Sequence, residues 1–145
     1  MGASIIGVWK VLAVAYVSGA DITTFDPALP GLFIFYDQYY SMTWMPGGKM
    51  QEDYADLWHP NDAEKVKSYN SIVTNSGRYE LSGSALTTYV EVAKTPAFVG
   101  GKAVYQCEIN GDEMRLEVKD NVAHDGTRDE GYLTFKTILT LERVE

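Results

Sequence analysis

Positive charge is scarce in this chain. Twelve lysines and arginines face twenty aspartates and glutamates, a formal net charge of −8. No basic stripe runs along any segment. An acidic chain of this kind repels phosphate backbones, so nucleic acid is not an expected partner. An anionic membrane surface is not expected either, on the same ground. Cysteine is scarcer still. Cys107 stands alone, so no intramolecular disulfide can form and nothing calls for an oxidising compartment. The two histidines, His59 and His124, lie far apart in the chain. With one cysteine they make no ligand cluster, so no metal and no cofactor is expected. Long apolar runs are missing too; none reaches the ~20 residues that a membrane span needs. Ile5 to Ala20 is apolar and ends in Ser18-Gly19-Ala20, the outline of a leader peptide. But no basic residues precede it and Lys10 interrupts it. Its Trp9, Val11, Ala13, Ala15, Val17 alternation is that of a strand instead. The expectation is a cytoplasmic protein.

What the chain does hold is enough apolar residue, 46% of 145 positions, to bury one core. Residues 1–145 read as one domain built mostly of strands. The first strand spans about Ser4–Ser18. Asp21 to Pro30, with Pro27 and Pro30, reads as a loop. Gly31 then opens the apolar run Leu32-Phe33-Ile34-Phe35-Tyr36, and Asp37-Gln38 turns it into Tyr40–Met45. Lys49 to His59 has no clean period. After it, Asn61 with Glu64 three residues on has the form of a capping box. Val66, Tyr69 and Val73 follow at i, i+3 and i+7, which predicts one short amphipathic helix over Asp62–Val73. The second half is strand again: Arg78–Leu81, Leu86–Ala93, Ala103–Ile109, Met114–Val118 and Tyr132–Val144. Ser82-Gly83-Ser84 and Asn110-Gly111 mark two of the hairpins. Asp120–Gly131 reads as a polar loop.

Side chains alternate along a strand, so parity assigns faces. Met114, Leu116 and Val118 face inward. So do Ala103, Tyr105, Cys107 and Ile109. Leu133, Phe135, Leu139 and Leu141 share a face with Arg143, and Trp9 shares one with Val11, Ala13, Ala15 and Val17. These segments predict one antiparallel sheet closed into a barrel of about eight strands, its last strand beside its first. The two inward alanines leave volume unfilled, which tilts the barrel toward holding a ligand. Trp9 and Arg143 would meet at the closure, the guanidinium lying flat on the indole.

That pairing is also where a resemblance lies. Gly7-Val8-Trp9, Arg143, Gly31–Phe35 with Tyr40-Ser41, Ser76-Gly77-Arg78-Tyr79-Glu80, Val90-Glu91-Val92, Pro96 and Gly100 occur in order along most of the chain. The set resembles the bacterial lipocalin-like domain family, within the wider lipocalin/calycin superfamily. The resemblance implies an all-β, lipocalin-like, up-and-down barrel with a ligand cavity, the short helix capping one mouth. It says little about reaction, because such barrels host carriers and enzymes alike. The family often has histidine at Tyr39 and near Tyr89. The two tyrosines would make this pocket less basic and more aromatic.

Ten tyrosines, three tryptophans and five phenylalanines are the main functional signal. Phe33, Phe35, Tyr40, Trp44, Tyr54, Trp58, Tyr69, Tyr79, Tyr105 and Phe135 are the candidate ligand-binding residues, in the cavity or at its mouth. Tyr132 belongs with them. Buried phenols need hydrogen-bond partners, and a ligand oxygen is one. Leu86–Ala93 permits two orientations. In one, Leu86, Thr88, Val90 and Val92 face the core. In the other, Tyr89 and Glu91 enter the cavity, where a carboxylate of raised pKa can act as general acid or base. Tyr89 and Glu91 are therefore the candidate catalytic pair. His59 and His124 read as surface residues, and Cys107 as a small core hydrophobe. Two functions stay open. One is a binding protein for a small, mostly apolar, aromatic or polyketide-like molecule. The other is a cofactor-independent cyclase, isomerase or lyase using tyrosine and carboxylate groups. A homodimer stays open as well.

Overall fold

The computed structural model describes residues 4–130 and 134–145. Its strands are β1 (Gly7–Ser18), β2 (Asp21–Phe25), β3 (Leu32–Tyr36), β4 (Tyr39–Trp44), β5 (Val73–Ser82), β6 (Ala85–Ala93), β7 (Lys102–Asn110), β8 (Glu113–Val122) and β9 (Lys136–Arg143). One helix, α1 (Asp62–Asn70), precedes β5, and a 3₁₀ turn, Pro96–Phe98, precedes β7. Every pairing is antiparallel, and β1 also pairs with β9. The sheet therefore closes as an up-and-down barrel of eight strands, β1 and β3 to β9, with β2 on the outer half of β1.

Two-residue loops set the register of four hairpins. Ser18 pairs Asp21, Tyr36 pairs Tyr39, Ser82 pairs Ala85, and Asn110 pairs Glu113. In each, the first loop residue has positive φ: Gly19, Asp37, Gly83 and Gly111. That is the backbone such tight hairpins need, and glycine or aspartate adopts it at least cost. The fourth loop is thus Gly111-Asp112, one residue later than the Asn110-Gly111 signal suggests.

Three sequence expectations are corrected. Asp21–Pro30 is not all loop: β2 forms at its start and leaves the prolines beyond the pairing, Pro27 and Pro30 having no ladder partner to lose. The helix ends at Asn70, because Val73 already belongs to β5. The capping box is present in full. Glu64 N–H donates to Asn61 Oδ1 at 2.9 Å, and Asn61 N–H donates to Glu64 Oε1 at 2.9 Å. Yet the helix buries no residue, and Val66 is 61% exposed. None of its residues lines the cavity at the open end of the barrel, although Tyr69 contacts Lys94 and Thr95 at the rim. The third correction concerns β1. Its register against β9 shifts between Val11 and Ala13, so Leu12 is an extra residue. A bulge reverses the parity beyond it. Trp9 and Val11 face inward as expected, but Val14 and Tyr16 then do so in place of Ala13 and Ala15. The argument for a cavity from small inward alanines therefore falls. The ninth strand begins at Lys136; the expected Tyr132 and Leu133 lie outside the described residues.

The end of the barrel holding Gly7 is sealed. Trp9 is fully buried, its Nε1 donates to Ile5 O at 2.9 Å, and the Arg143 guanidinium carbon sits 4.3 Å from its ring centroid. Arg143 also donates to the carbonyls of Ile6 and Ser4. Phe35 packs edge-on against Tyr79 at 5.1 Å in the same half, and the Tyr79 hydroxyl donates to Asp37 O at 2.8 Å. Met114, Leu116, Leu139 and Leu141 fill the middle.

Candidate functional site

The opposite end is open. A cavity of about 410 Å³ enters the barrel where β4 and β6 end and β5 begins. Its depth is apolar. Phe33 of β3, Trp44 of β4, Tyr105 of β7, Val118 of β8 and Leu139 of β9 converge there. Each is an inward position of its strand and each is buried in the core cluster. The rim is mixed. Thr74 comes from β5, and Ala93, Lys94 and Thr95 from the end of β6 and just beyond it. Ala97 and Phe98 add the 3₁₀ turn, and residues 121–129 add a flap.

The flap is ordered by its own backbone. Ala123 N–H donates to Thr127 O at 2.8 Å, and Asp129 N–H donates to Asn121 O at 2.9 Å. His124 N–H donates to Ala97 O at 3.0 Å, which ties the flap to the 3₁₀ turn. Asp120–Gly131 was expected as a polar loop. Its first residues instead extend β8, and residues 123–129 fold back on the rim.

One polar group sits deep in this apolar wall. Asn75 is 4% exposed and lies opposite Met42 and Ala93. Its Oδ1 accepts a 2.5 Å hydrogen bond from Tyr40, itself buried. Burial pushes the Tyr40 phenol up to about 12; the nearby Thr88 hydroxyl opposes this weakly and the Glu91 charge adds to it. The phenol is therefore a neutral donor throughout the physiological range. The Tyr105 hydroxyl approaches Met42 Sδ at 3.9 Å. Two cations reach the rim. Lys94 donates to the carbonyls of Tyr69 and Ile72 and lies 4.2 Å over the Tyr69 ring. Arg128 Nε lies 3.1 Å from Asp120 Oδ2.

Among the residues expected at the site, Phe33, Trp44 and Tyr105 line the cavity. Tyr40 stands one layer behind it, through Asn75. The others are elsewhere. Phe35 and Tyr79 pack in the sealed half. Phe135 lies edge-on to Tyr16 at 5.9 Å, off the cavity wall. The Tyr54 hydroxyl meets Ser68 Oγ at 2.5 Å within the excursion between β4 and β5. Trp58 is 87% exposed, and Tyr69 lies outside the cavity under Lys94. Tyr89 and Glu91 are on the outer face, and the Tyr89 hydroxyl donates to Glu80 at 3.3 Å. Tyr39, beside Arg78 in the ladder, is exposed too. The two positions at which the resemblance suggests histidine thus bear on the outer surface, not on the pocket.

Sequence reasoning missed Asn75, Asn121 and the flap. Asn75-Ser76-Gly77 falls between the helix expected to Val73 and the strand expected from Arg78, and that gap hid an inward strand position. The signal was there: Asn75, Gly77, Tyr79 and Leu81 keep strand parity. The Cys107 thiol is buried between strands and pushed up to about 11, by burial first and the Glu108 charge second. It is no nucleophile at neutral pH. His59 pairs with exposed Asp56 at 3.2 Å. Among the described residues, no group of His, Cys, Asp or Glu is placed to hold a metal ion, and no helix is long and apolar enough to cross a membrane.

The model of a lipocalin-like domain matches residues 6–144, the whole barrel. The chain belongs to the lipocalin-like domain family. No curated protein matches this lipocalin-like chain. A solved structure of an uncharacterized protein from Bacteroides eggerthii DSM 20697 is similar at a TM-score of 0.47 and 11% identity, over 97% of this chain and 99% of that one. A lipocalin-like barrel, sealed at one end and open at the other, is suited to small hydrophobic ligands.

Proposed function

We propose that this lipocalin-like domain, taken as residues 1–145, binds a small, mostly apolar molecule, aromatic or polyketide-like, in the open half of the barrel. The observation that carries the reading is the 410 Å³ cavity with Phe33, Trp44 and Tyr105 on its walls. Flat rings offer their faces to a flat ligand, and the burial of apolar area supplies the affinity. The enzyme reading named Tyr89 and Glu91 as its acid and base. Both stand outside the cavity, so binding without turnover is favoured. A cytoplasmic setting belongs to the proposal too, and the lone, buried Cys107 thiol suits it.

Tryptophan emission tests the reading, because the three tryptophans occupy different places. Trp9 is sealed in the floor, Trp58 is exposed, and Trp44 lines the cavity. An apolar aromatic probe should quench emission in the wild type and in Trp58→Phe, and most of the response should vanish in Trp44→Phe. An undiminished response in Trp44→Phe would show that the probe binds elsewhere.

A further inference from the structure

The Asn75 side chain constrains what the cavity accepts. Its contact with Tyr40 is 2.5 Å. That length suits O–H···O and is too short for N–H···O. The amide is therefore oriented: Oδ1 takes the phenol proton, and Nδ2 points the other way. Among the described residues no acceptor meets Nδ2, and Asn75 fronts the cavity. Two N–H donors thus stand beside the apolar depth of the cavity, below the polar rim. These donors open on the cavity; an apolar ligand that fills it strips them of water at a cost, and a ligand oxygen removes that cost.

The charges at the rim decide what kind of oxygen. A carboxylate entering this cavity would lose its hydration and would need a cation in exchange. Arg128 is neutralised by Asp120, and Lys94, though it keeps its charge, commits its ammonium to two carbonyls and the Tyr69 ring, none of them in the cavity wall. Asp129 adds negative charge beside them, and the chain as a whole carries −8. The acceptor that fits is uncharged.

Resting on the binding reading above, we propose that Asn75, held by Tyr40, is the specificity-determining residue of the cavity and selects an uncharged apolar ligand bearing a carbonyl oxygen. Hydrocarbons of the same shape leave Nδ2 unpaired. Carboxylates of the same shape lose their hydration and find no ammonium or guanidinium that is not already committed elsewhere.

Three near-isosteric naphthalenes test this by calorimetric titration at neutral pH: 2-acetylnaphthalene, 2-ethylnaphthalene and 2-naphthoate. In the wild type the ketone should bind about 2–10-fold more tightly than the ethyl compound, the range one net hydrogen bond supplies. The naphthoate should bind most weakly. The double variant Tyr40→Phe/Asn75→Leu removes both partners together, so neither is left with an unmet hydrogen bond. In it, the ketone and the ethyl compound should bind equally. Equal binding of ketone and hydrocarbon in the wild type, tightest binding of the naphthoate, or a ketone preference surviving in the double variant would each overturn the proposal while leaving the cavity as a binding site. If none of the three naphthalenes binds, the binding reading itself falls, and this inference with it.

Discussion

Trp9→Ala should be among the most damaging single substitutions in this protein. The indole is fully buried at the sealed end. Removing a buried tryptophan costs about 3–5 kcal/mol in transfer and cavity terms. Two further losses act at this site. The Nε1 bond to Ile5 O disappears, and so does the guanidinium–indole contact at 4.3 Å, worth about 0.5–2 kcal/mol. One term works the other way. Arg143 keeps its bonds to the Ile6 and Ser4 carbonyls and its pairing with Asp112 at 3.4 Å, so it is not stranded. The expected loss is about 4 kcal/mol. With a urea m-value of about 2 kcal/mol/M, the unfolding midpoint should fall by about 2 M with m unchanged. Trp9→Phe keeps much of the volume and should cost less than half as much. A double-mutant cycle with Arg143→Ala should return a coupling of about 1 kcal/mol. A loss below about 1 kcal/mol for Trp9→Ala would refute the sealed floor. Strict additivity in the cycle would refute the contribution of the stacked pair.

Three other outcomes are expected. Gly77→Ala should destabilise by about 1–3 kcal/mol, because a Cβ there would meet Tyr89 O at 2.0 Å across the bulge; an unchanged thermal midpoint would argue against that approach. Asn61→Ala removes the capping box and should weaken α1 by about 1 kcal/mol, yet the helix buries nothing, so hydrogen exchange should speed within Asp62–Asn70 while the global unfolding midpoint stays put. The Glu117 carboxylate is held below its ordinary range, first by its hydrogen bond to Lys119 and further by the charges of Lys119, Lys136 and Arg115. Its stabilisation is therefore present above the unfolded value of about 4.3 and lost as pH falls through the lower folded one, and Glu117→Gln should flatten the acid limb of a stability–pH curve.

The fold was readable because its devices are local. Alternating apolar residues mark most strands, tight loops such as Gly83-Ser84 mark hairpins, and Asn61 with Glu64 marks the helix start. The Trp9–Arg143 closure was readable because both residues sit in regular stretches near the ends of β1 and β9, where parity holds. The candidate site was less readable. Aromatic content identified Phe33, Trp44 and Tyr105 but also Trp58, Tyr54 and Phe135, because an aromatic residue looks the same in sequence whether it lines a cavity, packs beside one or stands in solvent. Tyr89 and Glu91 could not be placed from alternation alone, since both faces of their strand carry residues able to pack.

Three bulges account for most of what alternation missed. Leu12 is the extra residue on β1, Glu91 on β6 and Lys119 on β8. Each lies between the sealed half of the barrel and the open half, and each turns the following residues over by one position. Before the bulges, the inward positions are Trp9 and Val11, Leu86 to Val90, and Met114 to Val118, as strict alternation requires. Beyond them, Val14 and Tyr16 replace Ala13 and Ala15. Ala93 replaces Val92, which is 61% exposed. Asn121, opposite Ala103, replaces Asp120, which turns to Arg128 instead. The exchanges on β6 and β8 share a sense. A carboxylate leaves the mouth and an amide takes its place, while a valine gives way to an alanine. The rim is thereby kept roomy beside Asn75, at Ala93, and uncharged at Asn121. Deleting Lys119 would put β8 back in simple alternation and turn Asp120 toward the cavity, which is the one change here that would convert a wall suited to a neutral ligand into one that repels anions and attracts a cation.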